Sequence, residues 1–282
     1  MLWSTGFIGA RLGLPYAEPM TFLALRFALV IGVFALVLAV VRPALPSGRA
    51  LGHEGVTGIL LHSGYLGGVF AAIDLGMPAA MAALIVGLQP LLTGALAGPL
   101  FGERVGPRQW LGLALGLIGV GMVLGDDLNL QAGTLFDGFG LTAVGLTVIS
   151  LVSIAAATLY QKRFGGRVDW RWGALAQYTA AGFVTGGLAL ALETQQVTWS
   201  LDLAIALAWL VFVLSIGAIG LLMVLIKRGA AARVASLFYL VPPCTALVAW
   251  PLFGETFGWL ALAGMAVVAV GVGLVNTKPA SR

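Results

Sequence analysis

Between Met20 and Val41 the chain carries one charge, Arg26, and apolar stretches of this kind recur along its whole length. A helix needs about 20 apolar residues to cross the ~30 Å hydrocarbon core of a bilayer. Such runs lie near residues 1–14, 20–41, 55–73, 78–101, 107–125, 138–160, 172–192, 203–226, 230–253 and 257–275. The links between them are short and hold nearly all the charge, the longest polar one running from Asp126 to Asp137. None is long or polar enough for a soluble domain. Only 9% of the residues are charged and 60% are hydrophobic, against roughly 25% charged in a soluble protein. A water-facing surface cannot be assembled from that inventory. The expected fold is therefore all-α and integral to the membrane, with ten transmembrane helices and the lipid bilayer as solvent.

The first run is the awkward one. Met1 to Leu14 lacks the basic start and the small-residue cleavage site of a signal peptide, so it reads as a first transmembrane helix. At 1.5 Å per residue it spans about 21 Å, so either residues preceding Met1 complete it or the helix is short. The single cysteine, Cys244, excludes an internal disulfide and any CxxC metal site. A formal charge of +4 does not signal nucleic acid, because the basic residues are dispersed between apolar runs instead of gathered in a patch.

That dispersal has a pattern. Place the N-terminus in the cytoplasm, and Arg42, Arg49, Arg104, Arg108, Lys162, Arg163, Arg167, Arg171, Lys227, Arg228, Arg233, Lys278 and Arg282 all fall on the cytoplasmic side. Of the 15 basic residues only Arg11 and Arg26 do not. The acids Glu18, Asp74, Asp126, Asp127, Asp137, Glu193, Asp202 and Glu255 fall outside. A span count wrong by one would scramble this positive-inside alternation, so both termini are expected in the cytoplasm of a bacterial inner membrane.

The two halves repeat. Pro99-Leu100-Phe101-Gly102-Glu103 recurs as Pro251-Leu252-Phe253-Gly254-Glu255, at an offset of 152 residues. The same offset matches Ala79 with Ala231, Leu88 with Leu240, Pro90 with Pro242, Gly112 with Gly264, Gly119 with Gly271 and Gly121 with Gly273. Five spans separate the copies, so the second copy is inverted in the membrane. The expected domains are residues 1–125 and 138–275. Inverted repeats that share a central cavity can exchange conformations, which opens the cavity to one side and then the other. Duplication that merely enlarged the bundle is the bland alternative.

These features identify the chain as resembling the drug/metabolite transporter superfamily, in its ten-helix EamA branch. The likeness covers nearly the whole length. It rests on Trp3-Ser4, on Leu25-Arg26-Phe27, and on the two PLFGE helix ends, each preceded by a proline nine residues earlier (Pro90, Pro242) and followed by a Gly-rich helix. Within the superfamily the chain is most similar to bacterial exporters of aromatic and other neutral amino acids. The resemblance implies a central cavity lined by spans 1, 3, 4, 6, 8 and 9, with spans 5 and 10 at the periphery. The pairs Gly112/Gly116 and Gly121/Gly125 on span 5 suit close helix packing. Packing within one chain is their expected use, which gives a monomer; a homodimer is the alternative.

Arg26 is the most costly residue to place, because a charge inside a span is a functional hypothesis by default. A substrate carboxylate would partner it; a structural role, snorkelling outward or pairing with Asp74, is the competing reading. Pro90, Pro242 and Pro243 remove backbone donors within spans 4 and 9, and suit hinges that gate a pathway. The substrate-site candidates are the polar and aromatic residues inside spans: Trp3, Ser4, Phe7, His62, Tyr65, Gln89, Ser153, Thr158, Ser215, Phe238 and Tyr239. An aromatic pocket with few polar groups suits small amphiphilic ligands, although each residue taken alone also serves as helix packing. His62 without a carboxylate at its depth makes a poor proton relay.

No acid lies in the middle of any of these runs, which points to uncoupled, gradient-driven export. Nucleotide-binding, metal-hydrolase and nucleophile motifs are missing, so no enzyme and no cofactor is expected. Export of drugs or of sugars and nucleotide-like metabolites by proton antiport is the runner-up. A membrane receptor or scaffold is the reading from another class. A passive channel would want a polar stripe or charge ring.

Overall fold

A computed structural model of the protein describes residues 2–102, 106–126, 138–165, 168–218, 221, 241–254 and 257–276. After a single 3-10 turn at Leu2–Ser4 come α1 (Thr5–Gly13), α2 (Pro19–Val41), α3 (Gly48–Asp74), α4 (Ala79–Val86) and α5 (Gln89–Phe101). These are followed by α6 (Pro107–Asp126), α7 (Gly140–Phe164), α8 (Trp170–Leu192), α9 (Leu201–Ala218), α10 (Val241–Phe253) and α11 (Trp259–Asn276). Among the described residues the one extended pairing is an isolated bridge between Ala17 and Val197.

Among the described residues six segments are long and apolar enough to cross a membrane: Pro19–Val41, Gly48–Asp74, Ala79–Leu96, Gly140–Phe164, Trp170–Leu192 and Leu201–Ala218. Trp110–Met122, Cys244–Phe253 and Trp259–Gly271 are shorter apolar helices. Their outer surface is apolar too: Leu36 is 67% exposed and Trp259 89%. A contiguous apolar exterior of this kind is lipid-facing. The interior is held by large side chains with no solvent access, among them Phe22, Phe27, Phe34, Phe70, Met77, Met81 and Tyr178.

The PLFGE motifs are helix ends. α5 and α10 stop at Phe101 and Phe253, and the next residues, Gly102 and Gly254, take φ of 71° and 68°. A left-handed residue just past a helix satisfies orphan carbonyls, and only glycine adopts it without strain. The Gly254 amide accordingly donates to the Trp250 carbonyl at 3.0 Å.

α6 and α11 pack along their length, through glycines that contact reciprocally. A Cβ at Gly119 would stand 2.6 Å from the Gly264 carbonyl oxygen and 2.8 Å from the Val268 nitrogen. A Cβ at Gly271 would stand 2.6 Å from the Gly112 carbonyl oxygen and 2.9 Å from the Gly116 nitrogen. Residue numbers rise along one helix as they fall along the other, so the two run antiparallel. Gly112 and Gly116 are thus used within the chain.

Three features add to the sequence expectations. First, the helix is interrupted at Gly87 and Leu88, in the turn before Pro90, and Pro90 is the second residue of α5. Pro242 and Pro243 stand in the first described turn of α10, and residues 222–240 before it lie outside the described set. Second, α3 begins at Gly48, well before its apolar run, because Ser47 caps it by accepting from the Ala50 amide at 3.4 Å. Glu54 therefore lies inside a helix and is 4% exposed, so a buried acid stands at the edge of the apolar run although none lies in its middle. Third, Ile59–Leu66 within α3 and Trp209–Ala218 within α9 are π-helical. The wider π turn is rare and concentrates at functional sites. The offset of 152 carries residues 59–66 onto 211–218.

Candidate functional site

The site forms where α2, α3, α8 and α9 meet. Small residues on α3 allow its close approach. At Gly58 a Cβ would strike the Gln177 backbone of α8, and at Gly64 it would stand 2.7 Å from Ser153 Oγ of α7. The His62 ring then stacks on Tyr178 of α8, with centroids 4.2 Å apart and planes at 15°. Phe27 of α2 closes the group, 5.5 Å from the Tyr178 ring and 5.8 Å from that of His62. Such ring pairs contribute about 0.5–1.5 kcal/mol each beyond their buried area, enough to fix the imidazole.

Arg26 enters from α2, about 10 Å along the helix from its outer end. It is 5% exposed, and its Nη2 donates to Ser215 Oγ in the π-helical stretch of α9 at 3.0 Å. Its Nε has no partner among the described residues, and neither does Nε2 of His62, itself 6% exposed. Arg26 acts electrostatically on His62, Tyr65 and Tyr178, so these four side chains and Ser215 share one environment. Each π-helical stretch contributes to it: His62 and Tyr65 from one, Ser215 from the other.

The pairing of Arg26 with Asp74 does not occur. Asp74 is exposed at the end of α3, and the guanidinium turns to Ser215. Of the other candidates, Ser153 reaches the edge of the group through Gly64. Gln89 and Thr158 meet elsewhere, Gln89 Nε2 donating to Thr158 Oγ1 at 3.0 Å and to Thr93 Oγ1 at 3.2 Å. Ser4 and Phe7 are buried at the start of the chain, where α1 packs on α9: Trp209 Nε1 donates to Thr5 Oγ1 at 2.9 Å and Gly9 abuts Leu210. The Trp3 side chain, those of Pro90, Pro242 and Pro243, and the whole of Phe238 and Tyr239 lie outside the described residues.

Sequence reasoning missed four members. Tyr178 and Gln177 form a polar pair in an otherwise apolar run, a signal of the same kind that singled out His62. Phe27 was quoted only for family likeness. Glu54 accepts from Gln177 Nε2 at 2.7 Å, about two helical turns before His62 on α3. Near it His53 Nδ1 lies 2.8 Å from the Tyr160 hydroxyl, and its ring stacks on Phe164.

At the N-terminal end of α2 a clasp joins the link before α2 to the link after α8. Both oxygens of Glu193 take the first amides of α2, Met20 and Thr21, at 2.7 Å, and Glu18 accepts from the Thr194 amide and hydroxyl at 2.9 Å. A carboxylate over a helix N-terminus meets both orphan donors and the positive end of the dipole. The Tyr16 hydroxyl donates to Asp202 at 2.7 Å, which raises its pKa above the ordinary phenol value.

The EamA-like transporter family matches the chain twice, over residues 1–125 and 141–277. The "Probable amino-acid metabolite efflux pump" of Salmonella typhimurium is 29% identical over 96% of this chain and 90% of its own length. That of Escherichia coli strain K12 is 28% identical with the same coverage. The "Uncharacterized inner membrane transporter YedA" of Escherichia coli is 29% identical over 96% of this chain and 86% of its own. A solved crystal structure shares the fold, with a TM-score of 0.62 at 21% identity over 97% of this chain and 94% of that one.

Proposed function

The chain belongs to the EamA-like transporter family, and we propose that it exports small metabolites, foremost neutral and aromatic amino acids, by alternating access between two inverted five-helix halves. It is a multi-pass inner-membrane transporter. The observation that carries the proposal is the reciprocal packing of α6 and α11. Gly119 meets Gly264 while Gly271 meets Gly112, and each of these glycines is its counterpart's match at the 152-residue offset. A pair of antiparallel helices in which i meets j′ and j meets i′ is what a two-fold axis in the membrane plane requires. The two π-helical stretches in register with the same offset support it further.

The substrate class rests on the aromatic and polar cluster of Phe27, His62, Tyr65, Tyr178 and Ser215, whose chemistry suits a small amphiphile, and on the two relatives named as amino-acid metabolite efflux pumps. Ten transmembrane helices, with both termini in the cytoplasm, are the topology that the basic residues favour.

A specific observation favours a second reading of the energetics. Buried Glu54, held by the neutral Gln177 amide, supplies the intramembrane carboxylate that proton-coupled carriers use, so export by proton antiport stands beside uncoupled export. Counterflow in proteoliposomes with labelled amino acids, sugars and cationic dyes tests the substrate class, and exchange confined to sugars or dyes would reject it. Amino-acid flux that persists without a pH gradient favours the uncoupled mode. Strict dependence on the gradient, lost in Glu54→Gln, favours antiport.

A further inference from the structure

We propose that Arg26 is the receptor for a carboxylate of the transported molecule, with Ser215 beside it and His62 completing the polar wall; this rests on the transporter reading above. A guanidinium is charged at any working pH, and a buried charge is retained in proteins when paired. Arg26 is 5% exposed and, among the described residues, has one hydrogen-bond partner, the neutral Ser215 Oγ at 3.0 Å. Its Nε is buried without a hydrogen bond among the described residues.

The acids that could neutralise it are engaged or distant. Glu18 holds Thr194, Glu193 holds Met20 and Thr21, Glu54 holds Gln177, Asp169 holds Arg171 and Asp202 holds Tyr16. Asp74 and Asp126 end α3 and α6. The remaining four, Glu103, Asp127, Asp137 and Glu255, fall in links between apolar runs. No ring takes the charge either: among the described residues, the cation–ring contacts belong to Arg11, Lys162, Arg163 and Arg171. Among the described residues no counter-charge meets the guanidinium, and a ligand carboxylate would supply one.

The geometry selects the anion. A guanidinium offers parallel N–H donors that match the two oxygens of a carboxylate. With Nη2 on Ser215, Nε is the donor left over, and His62 Nε2 is a second buried polar atom without a partner in the same environment. The stacked His62, Tyr178 and Phe27 rings beside it would receive the apolar part of the ligand. A charged amine with no carboxylate to offset it would gain only repulsion from Arg26.

The test is ligand-induced thermal stabilisation of the purified full-length protein, with four probes that share one ring: L-phenylalanine, 3-phenylpropionate, L-phenylalaninamide and phenethylamine. The first two carry a carboxylate and the last two do not. Binding by the carboxylate pair, weaker by about tenfold or more for the other pair, is the expected result. Arg26→Gln should remove that preference and Arg26→Lys keep part of it. The parent protein's discrimination needs no variant, so a poorly folding substitution leaves the test standing. Equal binding by all four, binding confined to the amide and amine, or binding by none overturns the proposal. Carboxylate binding without amino-acid flux in counterflow would instead reject the export reading and leave the receptor intact.

Discussion

Replacing Gly119 with alanine should damage the α6–α11 seam, and replacing Gly271 should damage it to the same degree. At Gly119 the new carbon would stand 2.6 Å from the Gly264 carbonyl oxygen and 2.8 Å from the Val268 nitrogen; at Gly271 it would stand 2.6 Å from the Gly112 carbonyl oxygen and 2.9 Å from the Gly116 nitrogen. Ordinary carbon–oxygen contacts lie at about 3.3–3.6 Å, so the helices must part by roughly 0.7–1 Å. The obstructing atoms are backbone and cannot swing away as a side chain would. A radial gap of that size forfeits a quarter to a half of each neighbouring dispersion contact, and overpacking of this kind typically costs about 1–3 kcal/mol. Gly121 and Gly273 supply the controls: they are matched by the same 152-residue offset, and a Cβ at either meets nothing within 4 Å. Alanine there should be neutral or mildly stabilising, since glycine in a helix costs roughly 0.5–1 kcal/mol relative to alanine. Thermal unfolding of the four variants in one detergent makes the comparison. Loss at 119 and 271 with none at 121 and 273 is predicted; equal melting temperatures for Gly119→Ala and Gly121→Ala would refute the packing argument.

Three further outcomes follow from the same geometry. Glu193→Gln keeps the hydrogen-bond acceptors of only one oxygen over the start of α2 and loses the charge there, so it should cost about 1 kcal/mol, read by thermal unfolding; an unchanged melting temperature would count against the clasp. Tyr16 donates to Asp202, and its raised pKa means the folded state holds the phenol proton more firmly than the unfolded chain. Its contribution is therefore complete below the ordinary phenol pKa near 10 and is lost as pH rises through the higher folded value. Tyr16→Phe should flatten that alkaline limb of a stability-versus-pH curve, and an unaltered limb would place the sensitivity elsewhere. Gly254→Ala puts a Cβ on a residue at φ 68° and should destabilise by about 1–2 kcal/mol, detected as easier proteolysis at that corner.

The apolar rods were legible because lipid solvation is a property of runs, and no tertiary contact is needed to see it. The glycine seam was half legible: the residues and their spacing stand out, but which helix they face does not. The cluster around Arg26 was least legible. Ser215 is 189 residues away in sequence, and nothing near Arg26 reveals that Asp74 is out of reach. Glu54 was overlooked because hydropathy starts the span after it, whereas Ser47 starts the helix before it and Gln177 of another helix makes its burial tolerable. The π-helical stretches left no local mark at all, since the same side chains suit an ordinary α-helix.

The account depends on two halves that face opposite ways in the bilayer, and labelling of the two PLFGE corners tests that most directly. With Cys244, the one native cysteine, replaced by serine, a cysteine is placed at Glu103 in one variant and at Glu255 in another. A membrane-impermeant maleimide added to intact cells should label Glu255→Cys at once and Glu103→Cys only after the membrane is opened. Equal labelling of both from the same side would contradict the inverted arrangement and, with it, alternating access.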